Sequence, residues 1–290
     1  MKYLLVDALN LAYRAFYGIP ELRRADGFPT NAIHGWVKGL WKLENMESPD
    51  QILVCWDIGR PAAREALLPS YKANRSETPE DLKKQLPLLR EVTELMGFPS
   101  VGIEGIEADD IIGAYAKLLG DQGHEVYIVS SDKDLAQCIK ANVKQMLPPP
   151  TANPRLGWRK LDEAGVLAKF GVTVAQIPDY LALMGDNSDN IPGIPGVGPK
   201  TASKWLKSYK TIDGIFQHSA MLKPKRFCNI VYENQELLKR NLKLTLLDES
   251  FDIDPVDHDI KPDIVALKEF FLRHEMKKSA EDADSRYSQG

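Results

Sequence analysis

Histidine and cysteine are scarce in this chain, five and three among 290 residues. The cysteines, Cys55, Cys138 and Cys228, are odd in number and widely spaced, which fits reduced thiols in a cytoplasm better than a disulfide frame or a metal knuckle. Without a His/Cys cluster, the ligand set that zinc prefers is missing. Long apolar runs are lacking too. The uncharged stretches fall far short of the roughly 18 residues a membrane helix needs, and the N-terminus reads directly as a strand instead of a basic, then apolar, leader. The expectation is a cytoplasmic protein with no membrane partner. Nor is there a basic surplus: the net charge of −4 by itself weighs against a nucleic-acid binder. At 43% apolar residues, the chain is not a disordered one, and it can bury one large core plus a smaller appended one.

What is present in a telling arrangement is carboxylate. Asp7 follows Tyr3-Leu4-Leu5-Val6, Asp57 follows Ile52-Leu53-Val54-Cys55-Trp56, and Asp132 comes just after Val126-Tyr127-Ile128-Val129. These apolar runs read as buried strands of a parallel sheet, at whose carboxyl ends ligands gather. Further acids lie in Glu107-Ala108-Asp109-Asp110, at Asp134, and at Asp186 and Asp189. So many acids at the ends of apolar runs repel one another unless cations sit among them. Oxygen-only ligation suits magnesium or manganese, which work beside phosphates. Each group also has an ordinary reading. Acids at a helix start are favoured by capping and the helix dipole, Asp132 fits an Asx-type turn, and Asp186/Asp189 fit a polar loop. Three acids within four residues nevertheless exceed what one cap requires.

Strands are expected at 3–7, 51–56, 99–103, 125–130 and 143–147, and helices at 9–17, 31–46, 80–96 and 107–120: an α/β, doubly wound region over residues 1–150. Pro148-Pro149-Pro150 ends it. Helical patterns then recur at 161–170, 174–184, 199–208, 212–217 and 226–246, giving a smaller helical domain over 151–275, and residues 276–290 read as a polar frayed tail. Between Ile191 and Thr245 ten Lys/Arg stand against three acids, a segment suited to facing phosphates and equally readable as solvated helix faces. In Gly193-Ile194-Pro195-Gly196-Val197-Gly198-Pro199-Lys200-Thr201 a P-loop is excluded, because Pro199 separates the last Gly from Lys and no strand precedes it. The piece reads as a tight hairpin between helices, with Pro199 at the first helical position and Lys200 and Lys204 one turn apart. Such an N-terminus grips a phosphate without reading sequence.

Leu183-Met184-Gly185-Asp186-Asn187-Ser188-Asp189-Asn190-Ile191-Pro192-Gly193, then Gly196-Val197-Gly198-Pro199-Lys200-Thr201-Ala202, closely resembles the 5′-nuclease (flap endonuclease) domain of bacterial DNA polymerase I and its free-standing relatives. Glu107-Ala108-Asp109-Asp110, Ser131-Asp132-Lys133-Asp134, Tyr71-Lys72-Ala73-Asn74-Arg75 and Thr30-Asn31-Ala32-Ile33-His34-Gly35 extend the resemblance over residues 1–250. It implies a PIN-like (Rossmann-like) core with a mainly parallel sheet flanked by helices, an arch over about 58–96, and a helix-hairpin-helix DNA-binding module over about 185–210 with a potassium ion in the hairpin.

It also implies two Mg2+ or Mn2+ ions. One would be drawn from Asp7, Asp57, Glu107 and Asp109, the other from Asp132, Asp134, Asp186 and Asp189, with Asp110 in the outer shell or bridging. Lys72 and Arg75 are the candidates to stabilise charge on the scissile phosphate, and Arg64 to clamp a neighbouring one; general phosphate attraction is the alternative for Arg64 and for Lys72. Tyr71 would stack on an unpaired terminal base or pack at the arch base. Gly196, Gly198, Lys200, Thr201 and Lys204 would hold duplex DNA. The implied substrates are DNA 5′ ends, flaps and nicks, and RNA–DNA primers, cut by a monomer that stands alone or as a separate domain. Two departures from the family pattern are Ala8, where Gly is usual, and Ala63-Arg64-Glu65-Ala66, where Phe-Arg-x-Glu is usual. The rival readings are a flap- or junction-binding protein without cleavage and a PIN-like ribonuclease.

Overall fold

The computed structural model describes residues 1–258 and 260–287, and they group into two compact units. The first is built from residues 1–58, 77–130 and the chain from 252 onward, the second from 59–76 and 131–251.

In the first unit β1 (Lys2–Asp7), β2 (Gln51–Cys55), β3 (Ser100–Val101) and β4 (Glu125–Val129) form a parallel sheet in the order β3-β2-β1-β4. Tyr3 to Val6 and Ile52 to Cys55 are buried throughout, as continuous apolar runs must be when helices cover both faces. Val6 lies opposite both Val54 and Val129, and Asp7 opposite Cys55, so β1, β2 and β4 end level with one another. The helix Ala108–Asp121 crosses from β3 to β4.

The helix Asn31–Glu47 has no side-chain cap of its own. Its free N–H groups are met by the buried Gln85, whose Oε1 accepts from Ala32 at 2.9 Å and from Ile33 at 3.2 Å. This helix crosses Ala8–Gly18 so closely that a methyl group on Gly35 would stand 2.8 Å from the Ala15 backbone. Its outer turns receive the C-terminal helices Ile264–Arg273 and Lys277–Tyr287: Trp41 Nε1 donates to Tyr287 at 3.0 Å, and Arg286 pairs with Glu44 at 2.6 Å. The polar tail expected from residue 276 is therefore a packed helix up to Tyr287; residues 288–290 lie outside the described residues. Its inward face is Ser279, Ala280 and Ala283, small residues that give no hydrophobic periodicity to read.

The second unit is mainly helical. Glu163–Phe170, Ile177–Met184, Pro199–Tyr209, Ile212–Gln217, Phe227–Glu233 and Gln235–Thr245 surround a core containing Leu181, Trp205, Phe227 and Leu238. The single helix expected over 226–246 breaks at Asn234. Strands recur after Pro150: β6 (Arg159–Leu161) pairs antiparallel with β5 (Val143–Leu147), and β7 (Gly185–Asp186) with β8 (Ile191–Pro192). Two or three residues are too few to show a period of two. The segment expected as one arch over 58–96 is divided. Residues 59–76 belong to the second unit, and 77–96 to the first, where Glu80–Lys83 and Leu86–Leu95 replace the one helix expected. No single helix among the described residues is long and apolar enough to cross a membrane.

Two outcomes test this packing. Gly35→Ala overpacks the helix crossing and should cost about 1–3 kcal/mol in urea unfolding. Gly39→Ala, whose new methyl meets only Leu11 Cδ1 at 3.6 Å, should be neutral or stabilising by up to about 1 kcal/mol. The second concerns His274, buried against Phe270 with Nδ1 3.3 Å from Arg24. Burial first, then Arg24 and Arg273, push its pKa down to about 4 against the pull of Glu91 and Asp26. The unfolded chain takes up this proton near pH 6.5 and the folded chain only near 4, so the stability it holds at neutral pH declines as pH falls through that window. His274→Gln should flatten the pH dependence of unfolding between 6.5 and 4 relative to the parent.

Candidate functional site

The carboxylates of the first unit are set by strand ends and helix starts. Asp7 closes β1 and caps the helix Ala8–Gly18, its Oδ1 accepting from Asn10 N–H at 3.0 Å and its Oδ2 from the Ser130 hydroxyl at 2.7 Å. Asp57, two residues beyond β2, accepts the Ala108 N–H at 3.0 Å. Both thus meet a helix N-terminus. Glu107 precedes that second helix without a side-chain capping bond, and Asp109 and Asp110 follow in its first turn. Asp7, Glu107 and Asp110 are buried. The combined field is felt at Cys55, whose thiol pKa is raised first by burial and then by Asp7, Asp109 and Asp57. Asp7, Asp57 and Asp109 therefore lie near Cys55 where β1 and β2 end, with Glu107 and Asp110 beside Asp109 at the helix start.

In the second unit, one carboxylate oxygen from each of Asp134, Asp186 and Asp189 lies within 4.8 Å of the others. Asp186 sits on β7 and Asp189 in the turn to β8; Asp134 opens a short 3-10 turn, its N–H donating to Asp132 Oδ1 at 2.9 Å. Asp132 is thus the expected Asx-type turn residue beside the trio. Asp186 Oδ1 accepts from the Ser188 N–H at 2.9 Å and hydroxyl at 2.6 Å, and Oδ2 from Lys133 Nζ at 2.5 Å. Burial works to raise the Asp186 pKa, but Lys133 and Ser188 hold it below the ordinary value. Asp134 is the opposite case. Burial first, then Asp132, pushes its carboxyl well above the carboxylate range, with Asp186 and Asp189 adding to the effect and Lys133 opposing it. Its Oδ1 is buried without a hydrogen-bond partner. Lys133 was not among the residues singled out from sequence; its place between Asp132 and Asp134 was the available signal.

Residues 68–75 lie along the turn between β7 and β8. The Lys72 N–H donates to the Asp189 carbonyl at 3.0 Å with Lys72 in the left-handed region at φ +55°, and Asn190 Nδ2 donates to the Ser70 carbonyl at 2.7 Å. Arg75 pairs with Asp189 Oδ1 at 2.5 Å, while Lys72 Nζ stands 3.9 Å from Oδ2. Tyr71 is buried with Leu68, Ile191 and Leu244, and its hydroxyl donates to Asp189 at 3.2 Å. The ring is thus packed among these residues, with Lys72 Nζ over its face at 5.0 Å from the centroid. Arg64, on the helix Ala62–Leu67, reaches the Leu246 carbonyl at 3.4 Å.

The glycine-rich hairpin has the expected form. Pro199 starts the helix Pro199–Tyr209 after Gly198. Gly185 has φ +75°, and a Cβ on Gly193 would stand 2.1 Å from the Met184 carbonyl, so the two backbones approach as only glycine permits. Gly196 has φ +78°, and a Cβ on Gly198 would meet nothing within 4 Å, leaving that turn open. Ala202, Trp205 and Leu206 face inward while Lys200, Lys204 and Lys207 are exposed and Thr201 is half-buried. The helix therefore presents a row of cations.

Comparison with known proteins agrees along the whole chain. Residues 2–171 match the 5′-3′ exonuclease N-terminal resolvase-like domain, and residues 172–265 the 5′-3′ exonuclease C-terminal SAM fold. A 5′-3′ exonuclease of Aquifex aeolicus is 36% identical over 288 residues, covering 98% of this chain and 96% of that protein. DNA polymerase I of Bacillus caldotenax is 35% identical over 246 residues, covering 85% of this chain but 28% of the polymerase. Among solved structures, T5 5′-exonuclease with bound divalent zinc ions superposes with a TM-score of 0.70 at 23% identity, covering 98% of both chains. The catalytic core of Rad2 in complex with DNA substrate gives 0.62 at 16% identity, covering 96% of this chain and 91% of that one. These two likenesses speak to the fold. On the two domain matches and the full-length identity, the chain belongs to the 5′-3′ exonuclease family of nucleases.

Proposed function

We propose that this chain is a structure-specific 5′ nuclease that hydrolyses DNA phosphodiesters at 5′ flaps, nicks and RNA primers during replication and repair, with two Mg2+ or Mn2+ ions per active site. The observation that carries the reading is the half-buried Asp134 carboxylate beside Asp186 and Asp189, whose buried Oδ1 has no hydrogen-bond partner. An all-oxygen donor set short of positive charge fits a small hard cation. Asp132, Asp134, Asp186 and Asp189 would hold one ion, and Asp7, Asp57, Glu107 and Asp109 the other, supported by Asp110. Bound there, such ions stabilise the attacking and leaving oxygens of an in-line displacement, so no protein nucleophile is required.

The remaining work falls to the chain's own groups. Lys200 and Lys204 attract successive phosphates, with the Thr201 hydroxyl and the open turn at Gly196 and Gly198 letting a backbone approach closely. The same turn is our proposed potassium site. Lys72 and Arg75 steady charge on the scissile phosphate, and Arg64 a neighbouring one; for Arg75 this means exchanging Asp189 for phosphate. Because these contacts are to phosphate, recognition follows DNA structure and not base sequence. We further propose that the protein acts as a monomer in the cytoplasm, in keeping with its three free cysteines.

A magnesium titration with a labelled 5′ flap, a nicked duplex, an RNA-primed duplex and single-stranded RNA tests the reading. Flap, nick and primer should be cut to products with 5′-phosphate and 3′-hydroxyl ends. Binding without cleavage would make the chain a junction-binding protein, and preference for single-stranded RNA a ribonuclease. Asp132→Ala should keep DNA binding in calcium within a few-fold and abolish cleavage in magnesium; an active variant would remove Asp132 from the site.

A further inference from the structure

The carboxylate trio of the second unit carries a cation of its own. Lys133 Nζ lies 2.5 Å from Asp186 Oδ2 and 3.9 Å from Asp134 Oδ1, with its side chain 33% exposed. The first contact is a charge-assisted hydrogen bond; the second is too long for one and leaves that buried oxygen unpartnered. Ser188 occupies Asp186 Oδ1 from the far side, through both its N–H and its hydroxyl. The oxygen of Asp186 held by lysine is thus the one Ser188 does not use.

We propose that Lys133 is a built-in counter-cation that competes with the divalent ion for this cluster and so sets the cluster's metal affinity. The proposal rests on the reading that Asp134, Asp186 and Asp189 take a divalent ion. Without metal, the Lys133 ammonium offsets the charge of Asp186, while Arg75 and the more distant Lys72 face Asp189. A metal that ligates Asp186 through Oδ2 takes that contact from Nζ. The partly exposed four-carbon stem then lets the ammonium swing toward water. Metal binding therefore includes the loss of an ion pair, and the ion is held more weakly than the acids alone would hold it. Lys133 is in this sense a positioning residue, acting through Asp186 and Asp134.

The test is Mn2+ binding to the full chain without DNA, by calorimetry and by the electron spin resonance of free Mn2+, with thermal melting in parallel. Lys133→Met and Lys133→Gln should bind the cluster's ion about tenfold more tightly or better. They should melt below the parent without metal and gain more from saturating Mn2+ than the parent does. Lys133→Arg should keep the parent's affinity, and Asp134→Asn should lose one ion from the stoichiometry. If Asp134→Asn loses its ion while Lys133→Met and Lys133→Gln bind no more tightly than the parent, the competition is refuted and the metal site stands. If Asp134→Asn keeps the full stoichiometry, the cluster is not a metal site and both readings fall. A melting temperature lowered equally with and without Mn2+ would make Lys133 a structural ion-pair partner and overturn the proposal.

Discussion

Carboxylates brought within a few ångströms of one another and withdrawn from water cannot all remain ionised unless positive charge is supplied among them. The sheet-edge acids answer this constraint partly with backbone dipoles and hydroxyl donors: Asp7 takes the Asn10 N–H and the Ser130 hydroxyl, Asp57 the N–H of Ala108 at a helix start. The trio in the helical unit answers it with side-chain cations, Lys133 on Asp186 and Arg75 on Asp189. Asp134 has only the more distant Lys133 Nζ, at 3.9 Å. Its raised pKa and unpartnered oxygen mark where the supply of charge falls short.

The fold makes this concentration of acid sustainable. Strands buried on both faces pin β1 and β2 in register, so the acids that follow them are placed by the core and not by one another. In the helical unit the close Gly185–Gly193 approach fixes the turn between β7 and β8, and residues 70–75 clasp that turn through hydrogen bonds to Asn187, Ser188 and Asp189. The cations nearest Asp189 are thus the same residues proposed to meet phosphate. On that proposal they are held in place by Asp189 before DNA arrives and exchange it for phosphate when it does.

Much of this was legible from local sequence. Continuous apolar runs ending in Asp7 and Asp57, and one ending just before Asp132, specify parallel strands and the edge where ligands collect, and Gly-Pro spacing specifies the hairpin before Lys200. The parts that were not legible depend on contacts between residues far apart in the chain. Nothing local shows that Arg75 and Tyr71 will meet Asp189 more than a hundred positions away. A polar stretch such as Lys277–Tyr287 becomes a helix because Trp41 and Glu44 receive Tyr287 and Arg286. Lys133 was hidden by its neighbours, since a lysine between two aspartates reads as solvated charge until the fold turns it toward Asp186.

The central claim is that the buried acids of the helical unit are completed by a small divalent ion. Anomalous diffraction from crystals grown with Mn2+ tests it most directly. The account predicts a peak at ligand distance, about 2.1–2.3 Å, from Asp134 and Asp186, with Lys133 Nζ withdrawn from Asp186. A map in which Lys133 keeps its ion pair and no manganese density lies beside Asp134 would contradict it.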